Sequence, residues 1–501
     1  MTPSIDAAPR SFAVSDKLVL TVILFKRHRG LQHVYSLNKR LKEKSVGNTG
    51  GVKRYDLVVI GTGDAGKIVA VAAAQAGWKV AIIEKKKVGG TCALWGCVPK
   101  KVLVTGAELA DFNRRMAAAG LTTGSKVMSW SSLMRFKERL TGTYSENDER
   151  DLRQLGIHIY KGQASFVDRS AVRIGDLRLE GRYVHIATGA RPRKLDIEGE
   201  EHLTTSDQFL YLESLPRRIL FVGGGYISFE LAHIAARCGS VAVILNRSSH
   251  VLKGFDPDLA KRLVEASAKA GITVTLNETL ERIIKNKKGF TVIAHKGTET
   301  KEYSADLVVH GAGRVPDISD LDLDKAGIDE APEGIKVNVT MQSISNERVY
   351  AAGDAVAGGI PVTPVAMREG EVVADNLVHG MKRQRPDYRY VPRILFSLPK
   401  LASVGLQEAE ASMPDEEFDV KLKETSGWLH NERVQEKFAA SKIIIEKATG
   451  KILGAHILDS HADDLINVVA LAMQHGLTAK QIREVLYAYP SATSSIQYMM
   501  K

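Results

Sequence analysis

A strand, three glycines, a helix, a second strand and a terminal acid follow one another between Tyr55 and Glu84, and that order leaves the segment little choice of fold. Tyr55-Asp-Leu-Val-Val-Ile60 is a short apolar run of the kind buried in a parallel sheet, and Gly61-Thr-Gly63-Asp-Ala-Gly66 comes directly after it. Gly61 permits the turn, Gly63 lets the backbone approach a pyrophosphate, Gly66 lets helix pack on strand, and the first helical N–H groups receive the anion. The Ala- and Val-rich stretch from Ile68 to Ala76 supplies the helix, Lys79-Val-Ala-Ile-Ile the second strand, and Glu84 a carboxylate for ribose hydroxyls. A glycine motif alone is weak evidence; in this register it indicates a dinucleotide-binding α/β unit.

The pattern returns at Ile219-Leu-Phe-Val-Gly223-Gly-Gly225-Tyr-Ile-Ser228, so the chain carries two nucleotide sites. Ser228 takes the third small position and still allows close helix packing. After Val241-Ala-Val-Ile-Leu stands Asn246-Arg247, where a site for NAD usually has an acid. An acid repels a 2′-phosphate, whereas Arg247 with Lys253 can bind one, so NADPH is the expected donor and NADH the alternative. Between the two units, Gly89-Gly-Thr-Cys92-Ala-Leu-Trp-Gly-Cys97-Val-Pro-Lys-Lys101 delivers two cysteines directly after the first fold. Their spacing suits a thiol/disulfide couple, and a following helix would favour a thiolate. Zinc is not expected, since no second Cys or His pair accompanies them. Trp95 and the lone Cys238 read as packing residues.

At 501 residues the chain exceeds one hydrophobic core and calls for about three domains. Its net charge of +11 is concentrated at one end, where residues 1–52 hold nine Lys or Arg against three Asp or Glu. A charge excess held in a tail argues against nucleic-acid binding by the body of the protein. The apolar run Leu18–Phe25 is too short to span a bilayer, and its flanks, Asp16 and Lys26-Arg27-His28-Arg29, do not suit a secretory signal. A mobile tail, with weak membrane-surface contact or an organelle-targeting segment as alternatives, is the expectation for residues 1–52. Three cysteines in so long a chain suit a reducing, cytoplasmic setting.

Gly-Gly-Thr-Cys-Ala-Leu-Trp-Gly-Cys-Val-Pro-Lys-Lys resembles the redox-active segment of the flavin-dependent pyridine nucleotide-disulfide oxidoreductases, the glutathione reductase, dihydrolipoamide dehydrogenase and mercuric reductase group. The resemblance covers residues 55–501 and implies an α/β protein with two Rossmann-like domains and an α+β dimerisation domain. The boundaries it implies are an N-terminal extension at 1–52, an FAD domain at 53–190 and 318–388, an NAD(P) domain at 191–317, and an interface domain at 389–501 that makes a homodimer. FAD would occupy the first site, through Gly61, Gly63, Gly66, Glu84, Thr91, Gly189, Gly353 and Asp354, with Thr363-Pro-Val-Ala366 beneath the isoalloxazine ring. The nicotinamide nucleotide would take the second, through Gly223, Gly225, Arg247, Lys253 and Gly313, with Tyr226 covering its pocket. Cys92 would meet the acceptor, Cys97 would face the flavin, and Lys100 near N5 would pair with Glu230.

The resemblance fails near the end of the chain. The family places a histidine before a proline there, and a glutamate five residues after the histidine; this chain has Tyr489 and Ser494. Tyrosine, with a pKa of about 10, is a poor base at neutral pH. Loss of a positioned base removes roughly 10²- to 10⁴-fold of rate assistance. Turnover of ordinary organic disulfides is therefore doubtful. His430 is a candidate substitute, though a surface or strand-end position is the default for it. Met499 and Met500 are soft donors whose default role is packing, and no metal site is expected. The leading expectation is an FAD enzyme that moves electrons from NADPH through Cys97 and Cys92 to a small-molecule acceptor: a quinone, an oxidant, a metal ion or a small disulfide. The alternatives are a conventional disulfide reductase and a redox-responsive binding module.

Overall fold

The computed structural model describes residues 51–123, 128–385, 387–411 and 417–501. The basic extension expected at 1–52, including its apolar run, lies almost wholly outside them.

The first sheet is built on β1 (Val52–Ile60), with β2 (Val80–Glu84) on one side and the strand Leu177–Ile186 on the other, both parallel to it. β1 starts at Val52 rather than Tyr55 because Val52 to Arg54 stay in register with Arg178 to Glu180. Leu57, Val58 and Val59 have no exposed surface, as expected of a central parallel strand covered on both faces. α1 (Asp64–Gln75) begins directly at the glycine turn and buries Ala65, Val69, Ala70 and Ala73. These small side chains bring its axis close to the sheet. At Gly66 the requirement is absolute: a Cβ there would lie 2.2 Å from the Gly61 carbonyl oxygen.

The second unit is a four-stranded parallel sheet in the order Ile272–Thr275, Val241–Leu245, Arg218–Val222, Leu307–His310, with a three-stranded antiparallel sheet following in the chain at residues 279–305. The chain enters and leaves this unit through Ala190–Pro192 and Arg314–Pro316, which pair with each other as a two-stranded ribbon. It then returns to the first sheet, where Val349–Ala351 pairs with Leu177–Ile186. Gly353 and Asp354 thus emerge beside the glycine turn.

The last unit is a five-stranded antiparallel sheet, Arg393–Leu395, Lys400–Gly405, Ile452–Asp459, Ala440–Glu446, Phe418–Glu424, joined by the helices Ala462–Gln474 and Ala479–Glu484. Met499 and Met500 are buried in its core, so their sulfurs are packing atoms. Among the described residues, no helix is long and apolar enough to cross a membrane and no group of three or more His, Cys, Asp or Glu could hold a metal.

Candidate active site

At the first nucleotide site the residues fit FAD. Gly63 is the N-cap of α1, has no side-chain cap, and nothing lies within 4 Å of where its Cβ would stand, so the first helical N–H groups face open space. Gly189 opens on the same kind of void. The buried Thr188 hydroxyl has no protein partner. Burial pushes the Asp354 carboxyl above its ordinary range, against the opposing pull of Arg314, and no described side chain hydrogen-bonds to it. Such a group suits the hydroxyls of a ribityl chain. Glu84 is already engaged: one carboxylate oxygen accepts from the Thr62 N–H (3.0 Å) and hydroxyl (2.6 Å), the other from the Lys86 N–H (2.8 Å). It fixes the glycine turn and keeps lone pairs for a ribose.

Gly63 yields a prediction. Its φ of −66° suits any residue and the protein leaves room for a methyl, so Gly63→Ala will fold yet lose FAD, its Cβ filling the space a pyrophosphate needs. Flavin content per folded protein, with circular dichroism unchanged, measures this; full flavin content would reject the assignment.

The same turn positions the cysteines. The Gly89 N–H donates to the Thr62 hydroxyl (3.0 Å), and Gly90, at φ +77°, lies so near Gly63 that a Cβ would come within 2.4 Å of the Gly63 Cα. From this anchor the chain makes a short wide helical turn, Thr91–Trp95, and enters α2 (Cys97–Ala118). Thr91 opens the turn and is exposed. Its Leu94 carbonyl accepts from the Tyr211 hydroxyl (2.8 Å), and Trp95 packs on the Tyr211 ring. This brace was not foreseen, because nothing local to Tyr211 signals it.

Cys92 is half-buried and Cys97 exposed. Cys97 is lowered to about 6, first by the Cys92 thiol hydrogen-bonded to it, then by Thr363 and the charge of Lys100, with burial opposing. The same interaction raises Cys92, which keeps its proton. The Thr363 hydroxyl is 3.3 Å from the Cys97 sulfur. Lys100 Nζ lies 2.8 Å from Glu230 Oε1, with side-chain exposures of only 13% and 7%. That same oxygen accepts from the Phe396 N–H (2.9 Å). Tyr226, the first residue of the helix Tyr226–Arg237, stands half-exposed over the cleft, its hydroxyl raised to about 12 by desolvation and by Glu230, Asp354 and Cys97, against Arg314.

In the second unit, Gly223 has φ +97° and a Cβ would lie 2.6 Å from the Gly311 carbonyl oxygen. Gly225 caps its helix without a side-chain bond, and nothing lies within 4 Å of a Cβ at Gly313. Ser228 is buried against Gly311. Asn246 does not point outward: its side chain accepts from the Gly224 N–H (3.1 Å) and donates to the Ser248 and His250 carbonyls (2.8 and 3.0 Å). Arg247 and Lys253 are exposed and make no ion pair among the described residues.

Residues 55–370 match the family model described as pyridine nucleotide-disulphide oxidoreductase, and 391–500 match the dimerisation domain of the same family. The chain belongs to that family. It is 31% identical to a mercuric reductase of Staphylococcus aureus, over 87% of this chain and 80% of that one, and 31% identical to a glutathione reductase of Nostoc sp., over 89% and 99%. Among solved structures it resembles the HOCl-induced flavoprotein disulfide reductase RclA from Escherichia coli, with a TM-score of 0.80 and 27% identity over 89% of this chain and 99% of that one. Membership makes it an FAD enzyme reduced by NAD(P)H, with a dimerisation domain that supports a homodimer.

In this oxidoreductase the C-terminal segment lines a cavity of about 1040 Å³. Tyr489 is 74% exposed on its wall. Ser494 is turned inward, its hydroxyl donating to the Ser491 carbonyl (2.7 Å). His430 is not a surface residue: it sits on the short helix Leu429–Glu432 with 5% exposure, because the sheet end carrying Asp459 and the turn carrying Ser495 close over its ring.

Proposed function

We propose that this enzyme takes reducing equivalents from NADPH and delivers them through the Cys92–Cys97 pair to a small-molecule oxidant or disulfide in a reducing, cytoplasmic setting. The observation that carries this is the dithiol itself: Cys97 poised as a thiolate near neutral pH beside the Lys100–Glu230 pair, and Cys92 still protonated five residues earlier. FAD, when bound, supplies the two-electron exchange between nicotinamide and dithiol. The protein's part is positional and electrostatic. Gly61, Gly63 and Gly66 shape the turn that receives the cofactor phosphates, Glu84 and Asp354 serve its hydroxyls, Lys100 favours the Cys97 thiolate, and Tyr226 guards the nicotinamide side. Domain divisions near residues 190, 317 and 388 belong to this reading. So does a homodimer in which the C-terminal segment of one protomer faces the cysteine pair of its partner.

Anaerobic titration with NADPH tests it. The flavin should bleach and the long-wavelength band of a thiolate beside the ring should appear; no bleaching would reject the reading. The donor preference rests on Arg247 and Lys253, whose charges are free for a 2′-phosphate. Charge-assisted bonds of this kind contribute about 1.5–3 kcal/mol each, so Arg247→Ala should raise the NADPH KM by roughly 10- to 100-fold and leave the NADH KM unchanged. An equal rise with both donors would argue against a phosphate contact.

A further inference from the structure

The Tyr489 cavity contains a chain of hydrogen bonds that the family motif does not predict. Asp459, fully buried at the end of the strand Ile452–Asp459, lies 3.0 Å from His430 Nε2. Its other partners, the Asn431 side-chain amide (2.7 Å) and the His461 N–H (2.8 Å), are donors as well. Burial opposes its ionisation, but the His430 bond and these N–H groups outweigh that and hold the carboxyl below its ordinary range. An ionised Asp459 accepts only, so in the neutral ring Nε2 carries the proton and Nδ1 is the acceptor. The Ser495 hydroxyl lies 2.9 Å from Nδ1 and must be the donor. That leaves the oxygen's lone pairs available, and Ser495 lines the cavity together with Tyr489.

We infer that Asp459, His430 and Ser495 form a proton relay serving the acceptor site in place of the missing histidine–glutamate pair, and that the acceptors it suits are small disulfides whose departing thiolate needs a proton. This rests on the proposed function, in which the cavity faces the partner's Cys92. The Cys92 proton passes to the Ser495 oxygen as the Ser495 proton moves to His430 Nδ1. The Cys92 thiolate attacks one sulfur of the substrate, the S–S bond breaks, and the leaving thiolate takes a proton from Ser495 as His430 returns its own. Cys97 then attacks Cys92, forming the enzyme disulfide and expelling the second thiolate, which is protonated by solvent. Two electrons move from the dithiol to the substrate, and no other reagent is needed. Ser495 is the group at the cavity, whereas His430 and Asp459 act through it.

The test uses leaving-group chemistry. Both substrates need the relay to take the Cys92 proton, but hydroxyethyl disulfide releases a basic thiolate and dithionitrobenzoate a weakly basic one, so only the former needs it again to protonate the leaving group. His430→Asn and Ser495→Ala should slow both substrates through the loss of the base for Cys92, and should lower kcat for hydroxyethyl disulfide by about tenfold more than for dithionitrobenzoate. Ser495→Thr, which keeps the hydroxyl, should restore most of the rate. The other charges around the ring are Glu436 behind Asp459 and, across the cavity, Lys423, Glu424, Arg433 and Lys501, all of which the variants retain. Equal losses with both disulfides would overturn the relay as the proton source for the leaving thiolate. No loss, or no wild-type turnover of hydroxyethyl disulfide beside good turnover of dithionitrobenzoate, would also overturn the relay. If the wild type reduced neither although NADPH bleached its flavin, electron delivery through the cysteines would itself be wrong, and the relay would fall with it.

Discussion

Cys92→Ser will still be reduced by NADPH in a single turnover but will lose roughly 10³-fold or more in acceptor turnover, as expected when a nucleophile is removed from a site that otherwise stays intact. The two sulfurs are not equivalent. Cys97 is lowered to about 6 by the Cys92 hydrogen bond, Thr363 and Lys100, so it is the resting thiolate. Cys92 precedes it on the Thr91–Trp95 turn and is the sulfur assigned to leave the pair for the acceptor. Without Cys92 there is no disulfide for the electrons to enter, because a lone Cys97 thiolate is already fully reduced, so they go no further than the ring. Stopped-flow reduction followed by steady-state assay separates the two halves. Acceptor turnover that survives the substitution would mean that electrons leave the flavin directly, and the pair would lose its place in the path.

The second large effect belongs to the Lys100–Glu230 pair, where two substitutions should move the same titration in opposite directions. Lys100→Met removes the positive charge that favours the Cys97 thiolate and leaves Glu230 unopposed, so the thiolate should form only at higher pH. Glu230→Gln retains an oxygen for the Phe396 N–H but removes the negative charge that opposes the Cys97 thiolate, so the thiolate should persist to lower pH than in the wild type. The pH dependence of the long-wavelength band reads both. Because the pair is largely buried, breaking it by Lys100→Met should also cost roughly 3–5 kcal/mol, seen as a lower melting temperature. Shifts in the same direction, or none, would show that the pair is too far from Cys97 to tune it.

The cysteine pair was legible because its chemistry is local, whereas the pairing of Lys100 with Glu230 and the division of roles between the two sulfurs came from the family resemblance. Glycine positions are dictated by backbone conformation and close approach, cysteine spacing by the turn that joins them, and strand assignments by apolar runs; element ends shifted by only a few residues. What the sequence could not convey is assembled by the sheet. His430, Asp459 and Ser495 come from three separate stretches, and no periodicity links them. The default surface placement of His430 failed because burial was decided by the strand end and turn that close over it. Its flanks, Trp428 and Leu429, were the only local hint. Asn246 shows the converse: its place after the strand was plain, but the loop its amide holds was not.

That loop constrains how such a protein could change electron donor. In many dinucleotide folds, accepting the unphosphorylated nucleotide is a matter of placing an acid after the second strand. Here that position is committed as a joint: the Asn246 amide donates to two carbonyls, and a carboxylate in its place would meet those oxygens with nothing to offer. Introducing an acid here would require rebuilding residues 247–253 together with Asn246. An acid placed at this position by a single substitution would therefore leave the two carbonyls of residues 248 and 250 without their donor.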